Sequence, residues 1–251
     1  MEISIQSVSI SRGISWVTEA LPYFTRNPLG WIAAIVVIFM LSIIISFIPF
    51  VGTLALNLLY PVVIGGYMLG CKAHYSGDSF EFQHVFAGFK EPYFVRLIIL
   101  GAIYTAATIV MLILFMILVF ITLGGMEVFH QLEQGQLSDI TQYQQSFILL
   151  TLVGAVFFLP FIMAMWFAPV IIISSDETPI SAMVMSFKAC LANILPFTLY
   201  GIVVFILAIL AALPLMLGYL VLLPVMSASV FVAYLDCFKE DTTNEPAQLI
   251  Q

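Results

Sequence analysis

The side chains best suited to chemistry are few, and the densest group is Ser174, Ser175, Asp176 and Glu177. A hydroxyl becomes a nucleophile only with a base in reach. No histidine lies close to this run in sequence, and His74 and His84 would have to reach it through the fold, so the same residues suit a turn and a helix start. The spacing Cys71-Lys-Ala-His74, with Cys190 and Cys237, resembles part of a metal site. Zinc sites usually take four placed ligands, however, and a free cysteine at a helix end behaves as a small hydrophobe. Met163, Met165, Met183 and Met185 could be soft copper ligands, although adaptable packing accounts for them better. We therefore expect no catalytic residue, no metal site and no cofactor. The polar groups that fall in mid-span, Asn57, Thr105, Thr108, Ser227 and Ser229, are all uncharged. That argues against an ion-coupled path, which usually needs ionisable groups inside the bilayer.

The elements that must position these residues are set by composition. Of 251 residues, 63% are hydrophobic and 8% charged, with a mean hydropathy of +1.15; a soluble domain carries about 25% charged residues. The chain is read as an integral membrane protein. A net charge of −7 leaves no basic patch for nucleic acid, and that partner is not expected. Residues 1–27 lack the continuous apolar stretch of a cleavable signal.

About 20 apolar residues cross a hydrocarbon core of about 30 Å, and six runs qualify: 28–48, 53–72, from Pro92 to about Thr122, 146–173, 195–213 and 215–234. All seven Lys and Arg residues, Arg12, Arg26, Lys72, Lys90, Arg96, Lys188 and Lys239, fall in segments on one side of these spans. Cationic flanks stay cytoplasmic, so both termini are expected in the cytoplasm of a bacterial inner-membrane protein. On that reducing side a disulfide among the cysteines is not expected. The segment 124–145 is an acidic outside loop, and 239–251 reads as a disordered cytoplasmic tail.

Three short amphipathic helices are expected at the cytoplasmic interface. Ile14, Val17 and Leu21 mark the apolar face of the first, Phe82, Val85, Phe86 and Phe89 that of the second, and Ile180, Met183, Val184 and Phe187 that of the third. Asp78 and Glu81 resemble a capping pair for the second, and Thr178 caps the third ahead of Pro179. Asn27 and Asn193 stand where the first and third helices turn into spans. Each helix precedes a two-span hairpin, which gives repeat units of about 14–72, 79–173 and 179–238 within one transmembrane domain, 1–238. Pro61, Pro160 and Pro224 each fall mid-span in the second span of a unit, and kinks there would frame a cavity. The fold class expected is all-α: a polytopic bundle of six transmembrane helices with three interfacial helices and a threefold internal repeat.

Asn27-Pro28-Leu29-Gly30-Trp31, then Val85-Phe86-Ala87-Gly88-Phe89, and the run from Pro179 to Asn193 with Ser186, Ala189 and Asn193 carry a resemblance. In these residues the chain resembles an uncharacterised family of proteobacterial inner-membrane proteins and is similar to YciC-like membrane proteins. The resemblance implies a polytopic inner-membrane protein and brings no catalytic or ligand residues. Together these readings lead to a non-enzymatic membrane component that interacts with lipids or binds a membrane-protein partner; the alternative is a small-solute transporter or channel.

Overall fold

The structure is a computed structural model that describes residues 3–123 and 144–240. The expected tail beyond Glu240 and all but the last two residues of the acidic loop lie outside the described residues. Among these residues are α1 (Arg12–Thr25), α2 (Pro28–Ser46), α3 (Val51–Tyr75), a 3-10 helix (Phe82–Phe89), α4 (Phe94–Thr122), α5 (Gln144–Trp166), α6 (Ala168–Ser174), α7 (Pro179–Ala192), α8 (Ile194–Ala212) and α9 (Tyr219–Cys237). Six helical stretches are long and apolar enough to cross a membrane: α2, α3, α4, α5 continuing into α6, α8 and α9. The all-α polytopic fold read from composition is the one observed.

Four local differences have physical causes. The second interfacial element is a 3-10 helix rather than an α-helix, because it lies flush against α3. A side chain on Gly66 would meet the Val85 carbonyl, and one on Gly88 would meet the Val62 carbonyl. Gly66-x-x-x-Gly70 thus admits a 3-10 backbone, where small residues usually admit a second membrane helix. The last span starts at Tyr219, not Leu215, since Leu215 and Met216 turn through φ of 52° and 65°, a left-handed region costly for branched or bulky residues. Pro22 stays inside α1, in its last turn, without breaking it. Finally, β1 (Ile3–Ile5) pairs antiparallel with β2 (Phe238–Glu240), Ser4 opposite Lys239, so residues 239 and 240 of the expected tail are ordered into a strand.

The described residues within Met1–Ala102 and Met163–Gln251 form one compact unit, and those within Ile103–Ile162 another. In the first, α1 rests on α8 and α9 through Trp16, whose ring centroid lies 4.9 Å from Phe197 and 5.9 Å from Tyr200. Trp31 stacks on Phe80 at 3.7 Å and on Tyr67 at 5.7 Å, and its indole nitrogen donates to the Tyr23 carbonyl at 2.8 Å. In the second unit, aromatic pairs Phe115–Phe158 at 5.7 Å and Tyr104–Phe161 at 6.0 Å join the two helices.

Candidate functional site

The interfacial elements all belong to the first unit, and their apolar residues are split between inside and outside. On α1, Val17 is buried while Ile14 and Leu21 are exposed. On the 3-10 helix Val85 is fully buried, Phe86 half-buried, and Phe82 and Phe89 exposed. On α7, Ile180 and Val184 are exposed and Met183 and Phe187 half-buried. The buried stripe of α7 is instead Ala182, Ser186, Ala189 and Cys190. Helical spacing places these four on one side. Small side chains therefore bring α7 against the protein, while Ile180, Val184 and Leu191 point away from it.

Each junction after an interfacial element holds the chain that leads into another. Asn27 donates to the Phe80 carbonyl at 2.8 Å, just before the 3-10 helix, and accepts from the Gly30 amide at 3.1 Å as the cap of α2. Asn193 is fully buried; it donates to the Gln6 and Ala189 carbonyls at 2.8 and 3.0 Å and accepts from the Val8 amide at 2.8 Å, ahead of α1. Arg96, near the start of α4, donates to the Ser175 carbonyl at 3.0 Å, just before α7. Phe80 precedes the second element, Ser175 the third and Gln6 the first, so the three clamps form a closed cycle. Sequence reasoning found both asparagines as junctions, whereas the Arg96 bond to a carbonyl 79 residues away has no local signal.

Ser186 was named only as part of a resemblance. Its hydroxyl donates to the Met163 carbonyl at 2.7 Å and accepts from the Phe167 amide at 2.9 Å. In an unbroken helix those two backbone groups would bond each other, being four residues apart. The hydroxyl is inserted into the ladder, and α5 and α6 part there, an insertion that kinks helices generally. Pro169, at the start of α6, fits the restart. The signal in sequence was the small-residue stripe with one serine in it. Of the three prolines, Pro61 and Pro224 are buried in the first unit, while Pro160 is exposed in the second.

Charged side chains gather at two places in the first unit. Arg12 donates to Asp236 at 2.6 Å and twice to Glu19 at 2.7 and 2.9 Å, while the Trp16 indole donates to the same Asp236 oxygen at 2.7 Å. Hydrogen bonds from Arg12 to Glu19 and then Asp236 raise its pKa further above an already high value. The second place is a groove of about 550 Å³ between the α6–α7 connection and the ends of α3 and α4, lined in part by Lys72, Tyr93, Arg96, Asp176, Glu177 and Thr178. Ser175 turns its hydroxyl onto the Ile171 carbonyl at 2.7 Å. His84 accepts from the Glu81 amide at 2.8 Å, and His74 lies against Tyr23 at 4.2 Å. Neither histidine hydrogen-bonds a serine of the Ser174–Glu177 run among the described residues. There, no three His, Cys, Asp or Glu side chains are grouped to hold a metal ion, and Cys71, Cys190 and Cys237 are free and buried.

Six membrane-length helices with a clamped set of short helices at their ends define a polytopic helical membrane protein. A probable inner membrane protein of Burkholderia thailandensis is similar to it, 28% identical over 247 residues that cover 92% of this chain and 88% of the relative. No protein-family profile matches the chain, and no solved structure matches it.

Proposed function

We propose that the chain is a non-enzymatic component of the bacterial inner membrane that binds lipid through its interfacial elements, with both termini cytoplasmic. The observation that carries this reading is the orientation of α7, which buries Ala182, Ser186 and Ala189 and exposes Ile180, Val184 and Leu191. Large apolar side chains turned outward on a short interfacial helix are stabilised by acyl chains and headgroup-level apolar groups. On the other two interfacial elements Ile14, Leu21, Phe82 and Phe89 are exposed as well.

The probable inner-membrane assignment of the Burkholderia relative supports the location. The Lys and Arg distribution supports the orientation. The commitments of Ser175 and His84 to backbone groups support a non-enzymatic role, since neither is left poised as nucleophile or base. Mass spectrometry of protein purified with native lipids tests the reading. Retained phospholipid is the expected result, and a lipid-free protein would overturn it. A green-fluorescent C-terminal fusion is expected to fluoresce; an active alkaline phosphatase fusion would reverse the orientation.

A further inference from the structure

The groove between the α6–α7 connection and the ends of α3 and α4 has a volume of about 550 Å³, inside the range of about 300–1,000 Å³ over which proteins hold small ligands. Its walls carry both signs of charge. Lys72 comes from the last turn of α3 and Arg96 from the first turn of α4, while Asp176 and Glu177 come from the connection. Arg96 lies 3.6 Å from Asp176 and is tied to the Ser175 carbonyl, so its charge is partly answered within the protein. Lys72 and Glu177 make no ion pair among the described residues.

A simple anion in this groove would meet two carboxylates, and a simple cation would meet a lysine and an arginine. Like charges brought together are unfavourable, and unlike charges favour each other. A ligand that carries a negative and a positive group a few bonds apart suits both walls. The groove also sits at the ends of three membrane-length stretches, Val51–Tyr75, Phe94–Thr122 and Gln144–Ser174. That is the depth at which the polar headgroup layer flanks the hydrocarbon core, and Tyr93 on the groove wall has the amphipathic ring favoured there.

We infer that this groove binds the headgroup of a zwitterionic phospholipid, with the phosphate on Lys72 and Arg96 and the ammonium on Asp176 and Glu177. The inference rests on the lipid-binding reading above and names the lipid class at one place in the molecule. Arg96 both lines the groove and clamps the connection, so the bound headgroup and the α6–α7 connection share one guanidinium.

The test is native mass spectrometry of the full chain released from nanodiscs with equal amounts of phosphatidylethanolamine and phosphatidylglycerol, with soluble glycerophosphoethanolamine in a separate arm. The wild type is expected to retain phosphatidylethanolamine preferentially. Lys72→Glu and Asp176→Lys, both at exposed positions and neither a partner in a clamp hydrogen bond, are each expected to lower that preference about fivefold. Helical circular dichroism checks that both variants fold. Retention of lipid without preference, or a preference that survives both substitutions, would overturn the groove assignment and leave the lipid-binding reading standing. A wild type that retains no lipid would overturn both. Soluble glycerophosphoethanolamine bound as well as the lipid would move the ligand from the membrane to solution and overturn the lipid assignment.

Discussion

Asn27 and Asn193 occupy matching places, each at the turn from an interfacial helix into a span, yet they are used to different depths. Asn27 makes two hydrogen bonds from a half-buried position, and one of these is an ordinary helix cap. Asn193 is fully buried, makes three, and reaches a segment 187 residues earlier. The same residue in the same local setting thus does a local task at one junction and a global one at the other. Local setting decides where a polar group stands; burial decides how much the fold depends on it.

The sharpest way to separate the two is Asn193→Ala, which strands the Val8 amide and two carbonyls. It is expected to cost about 3 kcal/mol, near 1 kcal/mol for each bond lost, read as an earlier midpoint in an SDS titration of reconstituted protein. Ser186→Ala comes next, at about 2 kcal/mol for its two bonds. Because it strands the Phe167 amide at the α5–α6 break, hydrogen exchange at Phe167 should quicken; slowed exchange would mean that the helix closes up and the two bonds are replaced. Asn27→Ala should cost about 1 kcal/mol for the cap and up to about 1 kcal/mol more for the half-buried bond to the Phe80 carbonyl; a loss equal to that of Asn193→Ala would erase the contrast.

The smallest effect at neutral pH concerns Cys190, whose thiol is pushed up to about 12 by burial, with a hydrogen bond to Ser186 acting the other way. The folded state then keeps a proton that the unfolded state releases above its ordinary value of 9.0, so stability falls as pH rises from there toward 12. Cys190 should resist iodoacetamide at pH 8 in the folded protein and react once SDS unfolds it, as peptide mass spectrometry would show.

The spans were legible because about 20 apolar residues without charges have few other uses. Thr178 and Asn27 were legible as helix starts for an equally local reason: a side-chain oxygen facing free amides. What sequence could not supply was pairing at long range. Nothing in Phe80 marks its carbonyl as the partner of Asn27, and nothing in Arg96 tells a headgroup from the carbonyl of Ser175. The close seat of Phe82–Phe89 on α3 escaped for the same reason, since Gly66 and Gly88 admit it only once α3 lies alongside. The faces of α7 were read by size of apolar side chain, whereas its packing is set by smallness. An alanine and serine stripe is as periodic as an isoleucine and valine one, and in a membrane it is often the buried one.

The strand pair at the two ends of the described chain also sets an order of events. Val8 cannot meet Asn193 until four of the six spans have been made, nor can Ile5 meet Phe238 until all six have. At the roughly 5–20 residues per second of protein synthesis, the leading segment waits on the order of ten to fifty seconds for its partners. Closure of the strand pair therefore comes after the last described span, and a segment made late fastens one made early.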